Sequence, residues 1–197
     1  MGRWNIRWSI LLVLWCVTGV KLAAMKVESL DRGWFFNRGY ESQAADKVTV
    51  DLPHTWNAAD AMFGNVNYYR GMSTYSRFIV VPSSENFKRV FLRVKAAQTV
   101  ADVYLDNHFV AQHKGGYTSF TVELTHLIRK GEKHKLDIRV SNAQTMEIAP
   151  ICGDFNIWGG LNRGVELLYT DDACIDPTFY GSSGVFFTQC DVSEKYA

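Results

Sequence analysis

An all-β fold, a two-sheet β-sandwich of jelly-roll type, is predicted by three features of this chain. Apolar and polar residues alternate with a period of two in several runs, turn residues fall between those runs, and no convincing long amphipathic helix appears. Many short strands with no helices between them bury their apolar faces by packing as two sheets.

The elements follow in order. Residues 48–52 and 74–81 are the first two expected strands. In the next run Val90, Leu92 and Val94 alternate with Phe91, Arg93 and Lys95, and then Ala101, Val103 and Leu105 alternate with Asp102, Tyr104 and Asp106. Side chains on a strand point to opposite faces in turn, so each run predicts a half-buried strand. Phe120, Val122 and Leu124 repeat the pattern, as do Leu136, Ile138 and Val140. Residues 165–169, 175–179 and 185–188 are the last three. The breaks are Asp106-Asn107, Gly115-Gly116, Lys130-Gly131-Glu132 and Gly159-Gly160, residues that accept a positive φ or bond their own backbone.

Size and charge bound the rest. The chain has 197 residues, 47% hydrophobic, 14% aromatic and 21% charged, a composition that buries a core rather than staying disordered. A net charge of +1 with scattered lysines and arginines gives no electrostatic footprint for nucleic acid or an anionic membrane. Arg3 and Arg7 precede an apolar run, residues 8–20, which is the layout of a secretory signal. The run is short for a membrane span, and Trp15 before Cys16 argues against lipoprotein processing. Residues 1–24 are therefore expected to be a signal peptide and the mature protein periplasmic or secreted. Cys16 leaves with the signal. Cys152, Cys174 and Cys190 remain, an odd number with no Cys-x-x-Cys clip for zinc, so mostly reduced cysteines are expected.

The most informative stretch is Gly153-Asp154-Phe155-Asn156-Ile157-Trp158-Gly159-Gly160-Leu161-Asn162-Arg163-Gly164-Val165, an acid, two aromatics and a glycine turn just before a strand. Leu52-Pro53-His54-Thr55-Trp56, Tyr68-Tyr69-Arg70-Gly71, Ala101-Asp102-Val103-Tyr104-Leu105-Asp106-Asn107 and His113-Lys114-Gly115-Gly116-Tyr117-Thr118-Ser119-Phe120 precede it. Five motifs in this order resemble the N-terminal domain of glycoside hydrolase family 2, of β-galactosidase type. Asn162 and Gly164 depart from the family pattern, which usually has an aromatic and an acid around Arg163.

The resemblance implies a galactose-binding-domain-like jelly roll over residues 25–172. Residues 173–197 would then be a linker and the first strand of a truncated immunoglobulin-like domain. It implies that Asp154 stands where the family's galactosidases place an aspartate that reaches sugar hydroxyls, beside a sodium ion in the complete enzyme. Asn65 stands near the asparagine that joins it, and Trp158 or Phe155 could cover the sugar's apolar face. The chemistry is sensible, because a carboxylate accepts from two neighbouring hydroxyls and an amide both donates and accepts. Plainer readings stand beside these: Asp154 and Asn65 each have a glycine neighbour and suit turns, and Trp158 and Trp56 suit core or interdomain packing. Arg163 reads as an ion-pair residue, and His54 and His113 as hydrogen-bonded structural residues. His108, His113, His126 and His134 lack metal-ligand spacing.

No catalytic residue and no cofactor is expected in the chain itself, because the family's two catalytic glutamates belong to a barrel that follows. Asp154 and Glu166 would be the acids to suspect if the chain cleaved glycosides alone. The expected partners are a β-glycoside, the missing immunoglobulin-like and barrel domains and, in a homo-oligomer, further copies of the chain; nucleic acid is not one. Two function classes remain: the sugar-binding domain of an exported β-glycosidase, or a stand-alone carbohydrate-binding or adhesion module.

Overall fold

A computed structural model of the chain describes residues 25–39, 48–60, 68–84, 86–149, 156–190 and 193. The described residues contain twelve strands and no helix: β1 Lys26–Ser29, β2 Trp34–Arg38, β3 Val48–Val50, β4 His54–Thr55, β5 Met72–Val80, β6 Arg89–Val94, β7 Val100–Leu105, β8 His108–Lys114, β9 Phe120–Glu123, β10 Lys133–Ser141, β11 Gly160–Leu161 and β12 Val165–Thr170. They form a four-stranded sheet, β1-β12-β6-β9, a six-stranded sheet, β3-β2-β5-β10-β7-β8, and a small pair, β11-β4. All pairings are antiparallel.

One core lies between the two large sheets. Val90, Leu92 and Val94 of β6 stand opposite Tyr169, Leu167 and Val165 of β12, so the inner face of the smaller sheet is a ladder of apolar pairs. Across from it, Leu136, Ile138 and Val140 of β10 sit between Leu105, Val103 and Ala101 of β7 and the inward residues of β5, which include Tyr75. Burying each such branched side chain stabilises the fold by about 1.5–3 kcal/mol.

The outer face of the smaller sheet is covered too, which explains why β12 is buried along its whole length. Phe91 and Leu168 pair on that side and are fully buried. The Arg89 guanidinium lies 4.7 Å from the Phe91 ring and grips Glu123 through two hydrogen bonds of 2.7 and 3.0 Å. Glu166, also on this face, takes Arg93 at 3.1 Å and Lys95 at 2.8 Å, so it is an ion-pair centre rather than a free acid.

The expected strands 175–179 and 185–188 are not formed. Neither run pairs with a neighbour among the described residues, and an isolated strand leaves its backbone ladder unsatisfied. Phe186 and Phe187 instead stand exposed. The chain after β12 keeps touching the sandwich through Ser119 Oγ donating to Gly181 O at 3.1 Å and Arg89 donating to Cys174 Sγ at 3.5 Å. Cys174 and Cys190 are both free thiols. Cys16, Cys152 and the signal-like residues 1–24 lie outside the described residues, and no described helix is long and apolar enough to cross a membrane.

Candidate functional site

The glycine pair before Leu161 is where the site is built. A β-carbon on Gly159 would stand 2.0 Å from Cζ2 of Trp56, and one on Gly160, at φ +140°, would stand 2.3 Å from His54 O. Only glycine lets this loop lie against β4, where Gly160 and Leu161 pair with Thr55 and His54. Behind it, buried Trp56 stacks on Phe36 at 6.1 Å, and His54 Nδ1 meets the Tyr75 hydroxyl at 2.7 Å. Burial, helped by the positive charge of Arg38, holds the His54 imidazole below its usual range; burial likewise drives the Tyr75 phenol far above its own. Both are neutral, structural groups.

Two buried asparagines tie this loop to the rest. Asn57 Oδ1 accepts from Gly159 N–H at 2.7 Å and from Asn142 Nδ2 at 3.1 Å. Asn142 Nδ2 also donates to Ile157 O at 2.9 Å and Tyr69 O at 3.1 Å, while its Oδ1 accepts from Gly71 N–H at 2.9 Å. Asn57 Nδ2 donates to Asp60 Oδ2 at 2.7 Å, and the same oxygen accepts from Tyr69 N–H at 3.0 Å. Asp60 thereby joins Asn57 to Tyr69. Arg38 reaches Trp56 O at 2.7 Å and lies 5.1 Å from the Tyr69 ring centre.

Of the three site residues expected from sequence, Trp158 is the one described. Its side chain is exposed (43% of the residue), whereas Ile157, Gly159, Gly160 and Leu161 around it are buried. Core packing is therefore the role of Trp56 and not of Trp158. Asp154 and Asn65, with Phe155, lie outside the described residues. Among the described residues no three acid, histidine or cysteine side chains gather into a metal site.

The two departures from the family pattern have physical reasons. Asn162 Nδ2 donates to Trp158 O at 3.1 Å and to Gln98 Oε1 at 3.3 Å, so a polar side chain holds the loop from below. At Gly164 a β-carbon would stand 2.7 Å from Asp31 Oδ1, and that same oxygen accepts Val165 N–H at 2.9 Å. Arg163 is exposed and forms no ion pair among the described residues. His113 meets Thr118 Oγ1 at 3.2 Å and stacks on Phe120 at 4.4 Å, a structural role like that of His54.

Sequence reasoning missed Asn57, Asp60 and Asn142, whose partners lie up to 102 residues away. The available signal was a lone asparagine directly after the alternating run that ends β10, where no periodic pattern calls for an amide.

The antiparallel sandwich matches known proteins over most of the chain. The family model for glycosyl hydrolases family 2, sugar binding domain, matches residues 27–171, and the chain belongs to that family. A β-glucuronidase of Bacteroides fragilis is 40% identical over 168 residues, which cover 85% of this chain and 24% of that protein. A β-galactosidase of Thermoanaerobacter pseudethanolicus is 29% identical over 134 residues, covering 66% of this chain and 18% of that protein. The solved structure of a Bacteroides uniformis β-glucuronidase superposes with a TM-score of 0.72 at 32% identity, over 81% of this chain and 19% of that one. The chain thus spans about a quarter or less of the length of the curated relatives named here.

Proposed function

We propose that the chain acts as the sugar-binding N-terminal domain of an exported retaining β-glycosidase, forming one wall of a pocket whose two carboxyl groups come from a barrel domain. The observation that carries this reading is Trp158: an exposed indole on a backbone held from both sides, in a loop whose neighbours are buried. An aromatic face of this kind covers the apolar face of a pyranose, while Asp154 and Asn65 would bind its hydroxyls. In the retaining mechanism a carboxylate nucleophile and a carboxyl acid/base sit about 5 Å apart. Glu166 is unfit for either part, because Arg93 and Lys95 already occupy its oxygens.

A β-glucuronide is the substrate best supported, since the Bacteroides fragilis relative is named a β-glucuronidase. The β-galactoside of the sequence reading is supported by the Thermoanaerobacter relative and is the second reading. The stand-alone binding module is weaker, because the relatives named above are glycosidases of which this chain spans about a quarter or less. Export rests on the arginine-then-apolar layout of residues 1–24 and is checked by N-terminal sequencing of the mature protein. A sodium ion beside Asp154 fits the hard oxygen donors of a carboxylate and is checked by sodium titration of activity.

The test is Asp154→Asn in the complete enzyme, assayed on 4-nitrophenyl β-D-glucuronide and β-D-galactoside. Loss of one charged hydrogen bond to the sugar should lower kcat/KM about 10- to 100-fold with little change in folding. A drop in thermal stability with kcat/KM held within about twofold would make Asp154 a turn cap instead. The chain alone should hydrolyse neither glycoside, because on this reading the carboxyl pair for proton transfer and covalent catalysis comes from the barrel domain.

A further inference from the structure

The carbonyls of Ile157, Trp158 and Gly159 and the Gly159 N–H each have a partner. Asn142 Nδ2 holds Ile157 O, Asn57 Oδ1 holds Gly159 N–H, and Asn162 Nδ2 holds Trp158 O. Gly159 O accepts both Trp56 N–H at 3.2 Å and Thr55 Oγ1 at 2.8 Å. The side chain they frame is exposed.

Asn57 and Asn142 are themselves fully buried and bonded to each other. Buried amides are a costly way to fill a core, because each polar atom must find a partner of good geometry or lose about 1–3 kcal/mol. Their return is directional: a satisfied polar network fixes one arrangement of the backbone where apolar packing tolerates several. Here that direction points to the Ile157–Gly159 peptides, the Tyr69–Gly71 peptides and the Asp60 carboxylate.

On the reading of Trp158 as a sugar platform, we propose that Asn57 and Asn142, with Thr55, are positioning residues for substrate binding, setting the Trp158 indole before the sugar arrives. A ring held in advance loses little freedom on binding, so the gain appears in affinity for the sugar. None of the three is a catalytic residue. They act through the backbone on either side of Trp158.

The discriminating substitution is Asn142→Asp, which keeps the size and the acceptor for Gly71 N–H while removing the donor to Ile157 O, Tyr69 O and Asn57 Oδ1. In the complete enzyme, on whichever nitrophenyl glycoside it hydrolyses, Trp158→Ala is measured first. If KM rises by less than about twofold, the platform reading itself fails, and the positioning proposal with it. If KM rises, Asn142→Asp is expected to raise KM about 5- to 10-fold with kcat within about twofold, and to add less than about twofold in the Trp158→Ala background. An Asn142→Asp effect on KM that is the same with or without Trp158, or that falls on kcat alone, overturns the proposal while leaving the platform reading intact. Thr55→Val supplies the same comparison should Asn142→Asp fail to fold, since it removes only hydroxyl bonds at Gly159 O and Asn57 N–H. Its expected effect is a rise in KM of about threefold that vanishes without Trp158.

Discussion

Trp56 occupies the space that a side chain at Gly159 would need: a β-carbon there would stand 2.0 Å from the indole Cζ2 and 2.2 Å from Cε2. The ring cannot retreat, because Phe36 stacks against it and Tyr69 and Tyr75 pack beside it. Gly159→Ala should therefore lower stability by about 3 kcal/mol or more, the upper range for an overpacked core. Gly33→Ala is the control. That site has φ +71° and nothing within 4 Å, so backbone strain alone should cost about 1–2 kcal/mol. Urea titration of the two variants separates crowding from strain.

Removing the Tyr75 hydroxyl strands two groups. His54 Nδ1 loses its 2.7 Å partner, and the Leu161 backbone loses a hydrogen bond at the β4-β11 pair. Tyr75→Phe should cost about 1–3 kcal/mol in denaturant unfolding, the range for leaving buried polar groups unsatisfied. A cost below about 0.5 kcal/mol would show that solvent reaches these groups.

Glu166 neutralises two cations at once. Glu166→Gln keeps the shape and leaves Arg93 and Lys95 side by side without a counter-charge. Both cations are partly solvated, which reduces the penalty below that of a fully buried pair; about 1–2 kcal/mol is expected. Replacing Arg93 by Met as well should recover part of the loss, which a double-mutant cycle measures.

Stability should also depend on pH through His134, which is buried with its Nδ1 2.6 Å from Asp106 Oδ2. Burial disfavours the imidazolium, but the hydrogen bond and charge of Asp106 outweigh it and hold the His134 pKa above its ordinary 6.5. Asp106 itself is held below the ordinary carboxylate value of 3.8 by His134 and by Lys135 N–H, against the opposing effect of its burial. A raised histidine pKa stabilises the fold fully below 6.5, and the contribution is lost as pH rises through the folded-state value. A lowered carboxylate pKa acts in reverse: its contribution is present above 3.8 and is lost as pH falls through the folded-state value. The Tm should therefore peak between these limits and fall on the alkaline side above 6.5, and His134→Asn should flatten that alkaline slope.

The strands most legible in the sequence are those with one wet face. β7 and β10 alternate because their outward residues, such as Tyr104 and Arg139, reach solvent or each other. β2 was illegible because three aromatics in a row, Trp34, Phe35 and Phe36, hide its alternation. β1 was illegible because an edge strand of Lys26, Val27, Glu28 and Ser29 carries no apolar pattern. β8 was implied by the Asp106-Asn107 turn but is exposed and irregular opposite Val103 and Tyr104. The apolar runs after Asp172 misled for the opposite reason: they look like strands, but a strand exists only with a neighbour to pair with. At the site, Trp158 was legible as part of a motif. The asparagines behind it were not, since a hydrogen-bond node assembled from four separate segments has no period.

β1 has one neighbour in its sheet, β12, and Tyr169 of β12 also donates to Glu28 across 141 residues of sequence. During synthesis β1 emerges first and must wait, unpaired, until the strand that receives it has left the ribosome. Its closure is thus the longest-range step of a slow, non-local topology, in which the entropy of joining distant segments is lost before their contacts are gained. Until Tyr169 arrives, the growing chain exposes the β12-facing edge of β6 as a bare template for any passing strand, so this domain is most vulnerable to misassembly before its translation is complete.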